Sequence, residues 1–75
     1  MGERFIFHIC LKTGEKRQAG YFYLIQALAM VDEYFMGQSL WEASAENALY
    51  LADVLQTKFW DVIERVIVYQ DGAEV

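Results

Sequence analysis

The hydrophobic period of this chain changes once, and that change limits the folds it can adopt. Apolar and less apolar residues alternate from Arg4 to Lys12. The apolar set is Phe5, Phe7, Ile9 and Leu11. A period of two in aromatic and β-branched residues predicts a strand with one wholly apolar face. The other face of this strand carries charge at its ends and Ile6, His8 and Cys10 between them.

From Tyr21 onward, apolar residues recur at helical spacing instead. One stripe comprises Tyr21, Leu24, Leu28, Val31 and Phe35, and a second comprises Phe22, Ile25, Ala29 and Met36. Two adjacent stripes predict a first helix with a wide apolar face. Because so few of its residues are polar, we expect this helix to be covered on more than one side.

The segment Gly37-Gln38-Ser39 predicts the end of one helix and the start of the next. Gly37 can adopt the left-handed conformation of a helix end, Ser39 can cap the following helix, and Glu42 completes a Ser-x-x-Glu capping box. We therefore predict a second helix from Leu40 to about Lys58, with its end between residues 58 and 64. Its predicted apolar stripe comprises Trp41, Ala45, Ala48, Ala52, Leu55 and Phe59, with Leu51 and Val54 beside it. The short connection predicts an antiparallel helical hairpin.

The last regular segment, from about Glu64 to Gln70, is rich in β-branched residues and predicts a second strand. Residues 15–20 are harder to place. A two-residue turn at Thr13-Gly14 would put Lys16, Gln18 and Gly20 on the core face of the first strand, which is a poor pairing. We predict a mobile loop there or, alternatively, a short polar edge strand.

These elements predict an α+β fold of order β-α-α-β, with a helical hairpin packed on an antiparallel sheet and residues 1–75 in one domain. The chain has 75 residues, 56% of them hydrophobic, and its single cysteine excludes an internal disulfide. A chain this short buries only about 60% of its unfolded surface, and two strands alone are marginally stable. We therefore expect a homodimer that completes the sheet.

Charge is distributed unevenly along the chain. The formal net charge is −5, but residues 1–20 carry +2 and residues 21–75 carry −7. The cations of the first part are Arg4, Lys12, Lys16 and Arg17. They predict a small basic corner on an acidic body, which is weak support for nucleic-acid binding because such binding displaces several counterions.

Few residues could carry catalysis. His8 is the only histidine and lies two residues from Cys10, on the same side of the predicted strand. Without a third group to orient the imidazole, we interpret His8 as a polar surface residue and Cys10 as a small buried hydrophobe. Glu42 and Glu46 share a helix face but have no histidine or third acid nearby. We predict no catalytic, cofactor-binding or metal-binding residue, no cofactor and no enzymatic activity.

The aromatic residues exceed what one small core encloses, so we expect some of them at an interface. The interface candidates are Tyr34, Trp41, Tyr50, Trp60 and Tyr69, together with Glu42, Glu46 and Asp53 on the wet side of the second helix. The leading hypothesis is a non-enzymatic protein-protein interaction module, a small acidic homodimer that also binds another protein.

Two alternatives stay open. One is an acidic inhibitor that occupies the basic cleft of a nucleic-acid-handling or defence protein, as small phage-encoded antagonists can do. The other is a weak nucleic-acid-binding module that uses Lys12, Lys16 and Arg17, with Arg4. The sequence shows neither a membrane-spanning stretch nor a signal peptide, so we expect a cytoplasmic protein without a membrane partner.

Overall fold

The computed structural model describes residues 4–31 and 42–75, which form two helices and one four-stranded antiparallel sheet. In chain order the elements are β1 (Phe5–Leu11), β2 (Lys16–Gly20), α1 (Tyr21–Val31), α2 (Ala45–Lys58), β3 (Ile63–Gln70) and β4 (Ala73–Glu74). The sheet order is β2-β1-β3-β4. The α+β class and the antiparallel pairing of the first long strand with the last are confirmed.

Residues 16–20 form the edge strand, and their register differs from the one that a two-residue turn would give. Ile9 lies opposite Arg17 and Phe7 opposite Ala19. The chain turns through three residues, Lys12 to Gly14, and Gly14 has a φ of +96°. A three-residue loop that ends on a left-handed glycine is a common hairpin connection. The extra loop residue moves every β2 side chain to the other face, so Ala19 packs against the core while Lys16 and Gln18 do not.

A second hairpin, which the sequence did not predict as such, joins β3 to β4. Asp71 and Gly72 form its two-residue turn, with φ values of +52° and +89°. Positive φ at both central residues defines the type I′ turn, which matches the twist of the flanking strands. The predicted order β-α-α-β thus becomes β-β-α-α-β-β.

The second helix begins five residues later than predicted. Ser44 is its N-cap, with extended backbone angles and a hydroxyl that accepts a hydrogen bond from the Asn47 backbone N–H at 3.1 Å. The Asn47 side-chain amide donates to the Glu42 carbonyl at 2.8 Å, which fixes the chain just before the cap. The prediction that Glu42 belongs to a capping box inside this helix is therefore wrong. Ser39 lies outside the described residues.

The end of α2 at Lys58 agrees with the prediction, and a tight turn leads from it into β3. Phe59 donates its N–H to the Leu55 carbonyl at 3.0 Å. The Phe59 carbonyl in turn accepts hydrogen bonds from Val62 and Ile63, at 2.9 and 2.7 Å. Because these bonds satisfy the groups that the helix end leaves free, β3 begins at Ile63 without a glycine or proline in the connection.

Both helices lie on one side of the sheet, which we call the covered face. Helix α2 packs mainly against β3, and α1 packs against β1 and β2. The strands contribute buried Phe5, Phe7, Ile63 and Val68 to this core. The helices contribute Tyr21, Leu24, Ile25, Leu28, Ala48, Leu51, Ala52 and Leu55. The predicted helical stripes identify most of this core, but Phe22 of α1 and Phe59 at the end of α2, both stripe residues, are exposed. Tyr23 of α1 is exposed as well, so the described residues do not cover this helix on a second side.

Tyr21 anchors the first turn of α1 in the core. Its ring lies between those of Phe5 and Phe7, with centroid distances of 6.1 and 6.3 Å. Its hydroxyl donates to the Glu42 carbonyl at 3.3 Å. Burial raises the pKa of the Tyr21 phenol, and a hydrogen bond with Asn47 opposes that shift only in part. The residue therefore ties α1 to the segment that precedes α2.

The segment that joins the two helices, including the predicted turn at Gly37 to Ser39, lies outside the described residues. The antiparallel arrangement of the helices as a hairpin stays a prediction. Within residues 4–31 and 42–75, neither α1 nor α2 is long and apolar enough to cross a membrane.

Candidate functional site: the open face of the sheet

The side of the sheet that the helices leave uncovered, which we call the open face, carries side chains in three cross-strand rows. The first row is Lys16, Cys10 and Arg65; the second is Gln18, His8 and Ile67; the third is Ile6, Tyr69 and Glu74, with Gly20 at its β2 end. Residues directly opposite each other in neighbouring strands point to the same side of a sheet. The register therefore assigns each of these side chains to the open face.

The centre of the open face is apolar and half-buried, and its edge is polar. Ile6, His8, Cys10, Ile67 and Tyr69 have intermediate exposure, whereas Lys16, Gln18, Arg65 and Glu74 are exposed. On the covered face, the strand residues Phe5 and Phe7 are 1% and 0% exposed. The open face therefore retains an apolar strip, along β1 and β3, that no described element of the chain covers.

His8 is held in the middle of this strip. Its ring lies 4.6 Å from the Tyr69 ring, centroid to centroid, at an interplanar angle of 54°. On the other side, its Nε2 lies 3.4 Å from the Gln18 side-chain nitrogen. Tilted aromatic contacts across neighbouring strands stabilise a sheet and restrict both side chains. His8 and Tyr69 therefore present a preorganised aromatic centre.

Charge on the open face is graded along the strands. Lys16 and Arg65 flank Cys10 in the first row, and Glu64 lies next to Arg65 at a bulge where the β1–β3 register shifts. The third row instead carries Glu74, opposite Tyr69. The end with the first row is thus net positive, and the end with the third row is negative. Such a gradient gives the face a preferred direction for meeting a charged partner.

The arrangement of His8 and Cys10 gives no nucleophilic pair. Cα atoms two residues apart in a strand are about 6 to 7 Å apart, whereas a thiol and its base need hydrogen-bond distance. The His8 contacts just described are with Gln18 and Tyr69 instead. Within residues 4–31 and 42–75, no three His, Cys, Asp or Glu side chains converge where they could hold a metal ion.

The predicted interface residues fall on separate surfaces. Tyr69 lies on the open face. Trp60 is 68% exposed in the turn after α2, with the Lys12 ammonium 5.5 Å from its ring centroid. Tyr50 lies on α2, with Glu46 and Asp53 on the same exposed side of that helix. Glu42 is exposed and precedes α2 rather than belonging to it, and Tyr34 and Trp41 lie outside the described residues.

The predicted cations also separate in space. Arg4 and Lys12 lie at opposite ends of β1, so residues 1–20 do not form a single basic corner. Arg4 contacts the Asp71 carboxylate at 3.4 Å, and Arg17 contacts Glu15 at 2.8 Å. Lys16 projects instead onto the open face, where Arg65 joins it. Nucleic-acid binding stays a prediction that these contacts do not favour.

Comparison of the chain with known protein families, curated proteins and solved structures finds no match.

Proposed function

We propose that this protein is a non-enzymatic protein-interaction module that forms a homodimer through the open face. The observation that carries the proposal is one-sided coverage, since α1 and α2 lie on the same side of the sheet and leave an apolar strip on the other. Side chains at the centre of a strand pair that no described element covers lose their remaining contact with water when a second sheet packs on them.

The size of the face supports a small, reversible dimer. The four strands have 7, 5, 8 and 2 residues. With about 3.3 Å per residue and about 4.8 Å between strands, they give a flat area of roughly 350 Å² per copy. Two copies together bury about 700 Å², which is below the roughly 1,000 Å² of a specific interface and typical of a weak, transient contact. We therefore expect a dimer that dissociates on dilution.

The decisive experiment compares two charge insertions at aliphatic positions. Ile67 lies in the middle row of the open face, whereas Leu49 is 48% exposed on α2. Ile67→Glu would leave a carboxylate without water at the interface and should abolish the dimer. Leu49→Glu is the matched control and should leave it unchanged.

Sedimentation equilibrium from about 10 µM to about 1 mM covers the affinities expected of so small an interface. The proposal is supported if the apparent mass of the wild type and of Leu49→Glu rises towards twice the chain mass, while Ile67→Glu stays monomeric and is folded by circular dichroism. A wild-type monomer throughout this range, or a dimer that Ile67→Glu does not affect, would contradict the proposal.

A second candidate function is binding of a basic protein by α2, the acidic-inhibitor hypothesis. The supporting observation is that Glu46, Leu49, Tyr50 and Asp53 are all exposed at spacings that place them on one side of α2. A protein captured by the wild-type chain should then be lost on raising the salt concentration and with Glu46→Lys/Asp53→Lys, but retained by Ile67→Glu. Capture that persists at high salt and with Glu46→Lys/Asp53→Lys, but is lost with Ile67→Glu, would assign the binding to the open face.

A further inference from the structure

We infer that the two open faces pack with their two-fold axis perpendicular to the strands, along the middle row of Gln18, His8 and Ile67. This inference rests on the proposed dimer and specifies its register. A two-fold dimer brings the same patch of each copy together, so its axis lies in the plane between the two sheets. For two sheets with aligned strands, this axis runs either along the strands or across them.

An axis across the strands exchanges the first row with the third and places each strand over its counterpart. Cys10 then faces Ile6 of the second copy, and Arg65 faces Tyr69 with Glu74 beside it. The cationic end of each copy thereby meets the acidic end of the other. The middle row meets itself, so the two His8 rings are neighbours and the two Ile67 side chains are in contact.

An axis along the strands gives a less favourable arrangement. Any such axis brings the two first rows together, and an axis through β1 places Lys16 of one copy over Arg65 of the other, twice in the dimer. Like charges brought together at an interface are repelled, and each first row keeps a net positive charge even with Glu64 at the bulge beside Arg65. The charge gradient of the open face therefore selects the axis across the strands. This axis follows the middle row because rotation about that row gives the greatest overlap between the two open faces.

The register predicts which cysteines can be cross-linked. Cys10 is the natural cysteine and lies two positions from the middle row, so the two copies of Cys10 are about 13 Å apart along the strand direction. A disulfide needs Cα atoms within about 7 Å. The oxidised wild-type protein should therefore form no covalent dimer. The two facing sheets lie about 10 Å apart, so facing pairs are also beyond disulfide range. Ile6→Cys, which faces Cys10 of the second copy, and Ile67→Cys/Cys10→Ala, which faces itself, should both be joined by a short bismaleimide, whereas the wild type should not.

Cross-linking is tested with a short bismaleimide, at the protein concentration where the wild type is a dimer by sedimentation. Ile6→Cys/Cys10→Ala is the matched control, because its cysteines are again four residues apart along the strand direction, and it should stay uncross-linked. A covalent wild-type dimer, or a wild-type dimer in which neither engineered pair reacts, would overturn the register while leaving the dimer itself established. A protein that is monomeric at every concentration would instead overturn the proposed function.

A charge exchange gives a second readout that does not use cysteine chemistry. Arg65→Glu should weaken the dimer about tenfold, since its carboxylate would lie beside Glu74 of the second copy. Arg65→Glu/Glu74→Arg restores opposite charges and should recover most of the affinity. With the axis along the strands, Arg65→Glu would face Lys16 and strengthen the dimer, so tighter association of this variant would overturn the inference.

Discussion

Replacing Ser44 by alanine tests where α2 begins. The change removes the hydroxyl that accepts the Asn47 backbone N–H at 3.1 Å, while the Asn47 side chain keeps its bond to the Glu42 carbonyl. Loss of a serine N-cap typically costs about 1 kcal/mol of stability. In a domain of this size, 1 kcal/mol lowers the Tm by about 4 to 8 °C. We therefore expect Ser44→Ala to unfold roughly 6 °C below the wild type.

The assay is thermal unfolding followed by circular dichroism at 222 nm, a wavelength in general use for helices, with urea unfolding as a second measure of stability. Ser44→Asp is the control, since its carboxylate can accept the same bond and is favoured at a helix N-terminus; it should retain wild-type stability. Ser39→Ala tests the cap predicted from the sequence. If Ser39→Ala carried the cost and Ser44→Ala carried none, the assignment of α2 to Ala45–Lys58 would be refuted.

Three further predictions concern the core and the turns. Leu51→Ala should cost about 2 to 5 kcal/mol in urea unfolding because Leu51 is fully buried, whereas Leu49→Ala on the same helix should cost less than about 0.5 kcal/mol; equal effects would contradict the side of α2 assigned to the core. Gly14→Ala should cost about 1 to 2 kcal/mol through its φ of +96° alone, since a Cβ there meets no atom within 4 Å; Gly14→Asn should cost less, and an unchanged Gly14→Ala would contradict the turn. The pKa of Tyr21 is raised on folding, so the unfolded chain loses this proton first, and the wild-type free energy of unfolding should fall as the pH rises above about 10. Tyr21→Phe should cost about 1 kcal/mol at neutral pH but lose less stability at alkaline pH. An equal loss of stability at alkaline pH in both proteins would show that another group titrates.

Much of the fold follows from periodicity because burial on one side imposes it. The alternation of Phe5 and Phe7 with Ile6 and His8 predicts both β1 and its two faces, and the structure buries the first pair and half-buries the second. Helical spacing likewise predicts the core residues of α1 and α2. These patterns are local, and the sequence contains no proline that interrupts them.

The start of α2 could not be located in the same way. Ser39 and Ser44 are each followed three residues later by a polar side chain, Glu42 and Asn47, so both fit a local capping signal. The choice depends on tertiary contacts, since the segment before Ser44 is held by Tyr21 and Asn47 through the Glu42 carbonyl. A rule that considers only neighbouring residues contains no information about Tyr21, which lies more than twenty positions away.

The open face was partly predictable. The alternation of β1 identifies Ile6, His8 and Cys10 as the less buried side of the strand, and Tyr69 was among the interface candidates. Arg65 and Ile67 were not, because their side of the sheet depends on the β1–β3 register and on the bulge near Cys10. That register comes from pairing between residues more than fifty positions apart, which periodicity within either strand does not specify.

The length of the loop between β1 and β2 determines which β2 side chains lie on the open face. With a two-residue turn, Lys16, Gln18 and Gly20 would point to the covered face, and Arg17 would join the open face with its partner Glu15 nearby. The first row would then lose Lys16, which has no carboxylate within ion-pair distance in the described structure, and gain Arg17, which pairs with Glu15. The charge gradient that selects the dimer axis would therefore weaken. Gly14, by accepting a positive φ, adds the third loop residue that prevents this exchange. The charge distribution of the open face therefore depends on the backbone conformation of Gly14, a residue without a charged side chain.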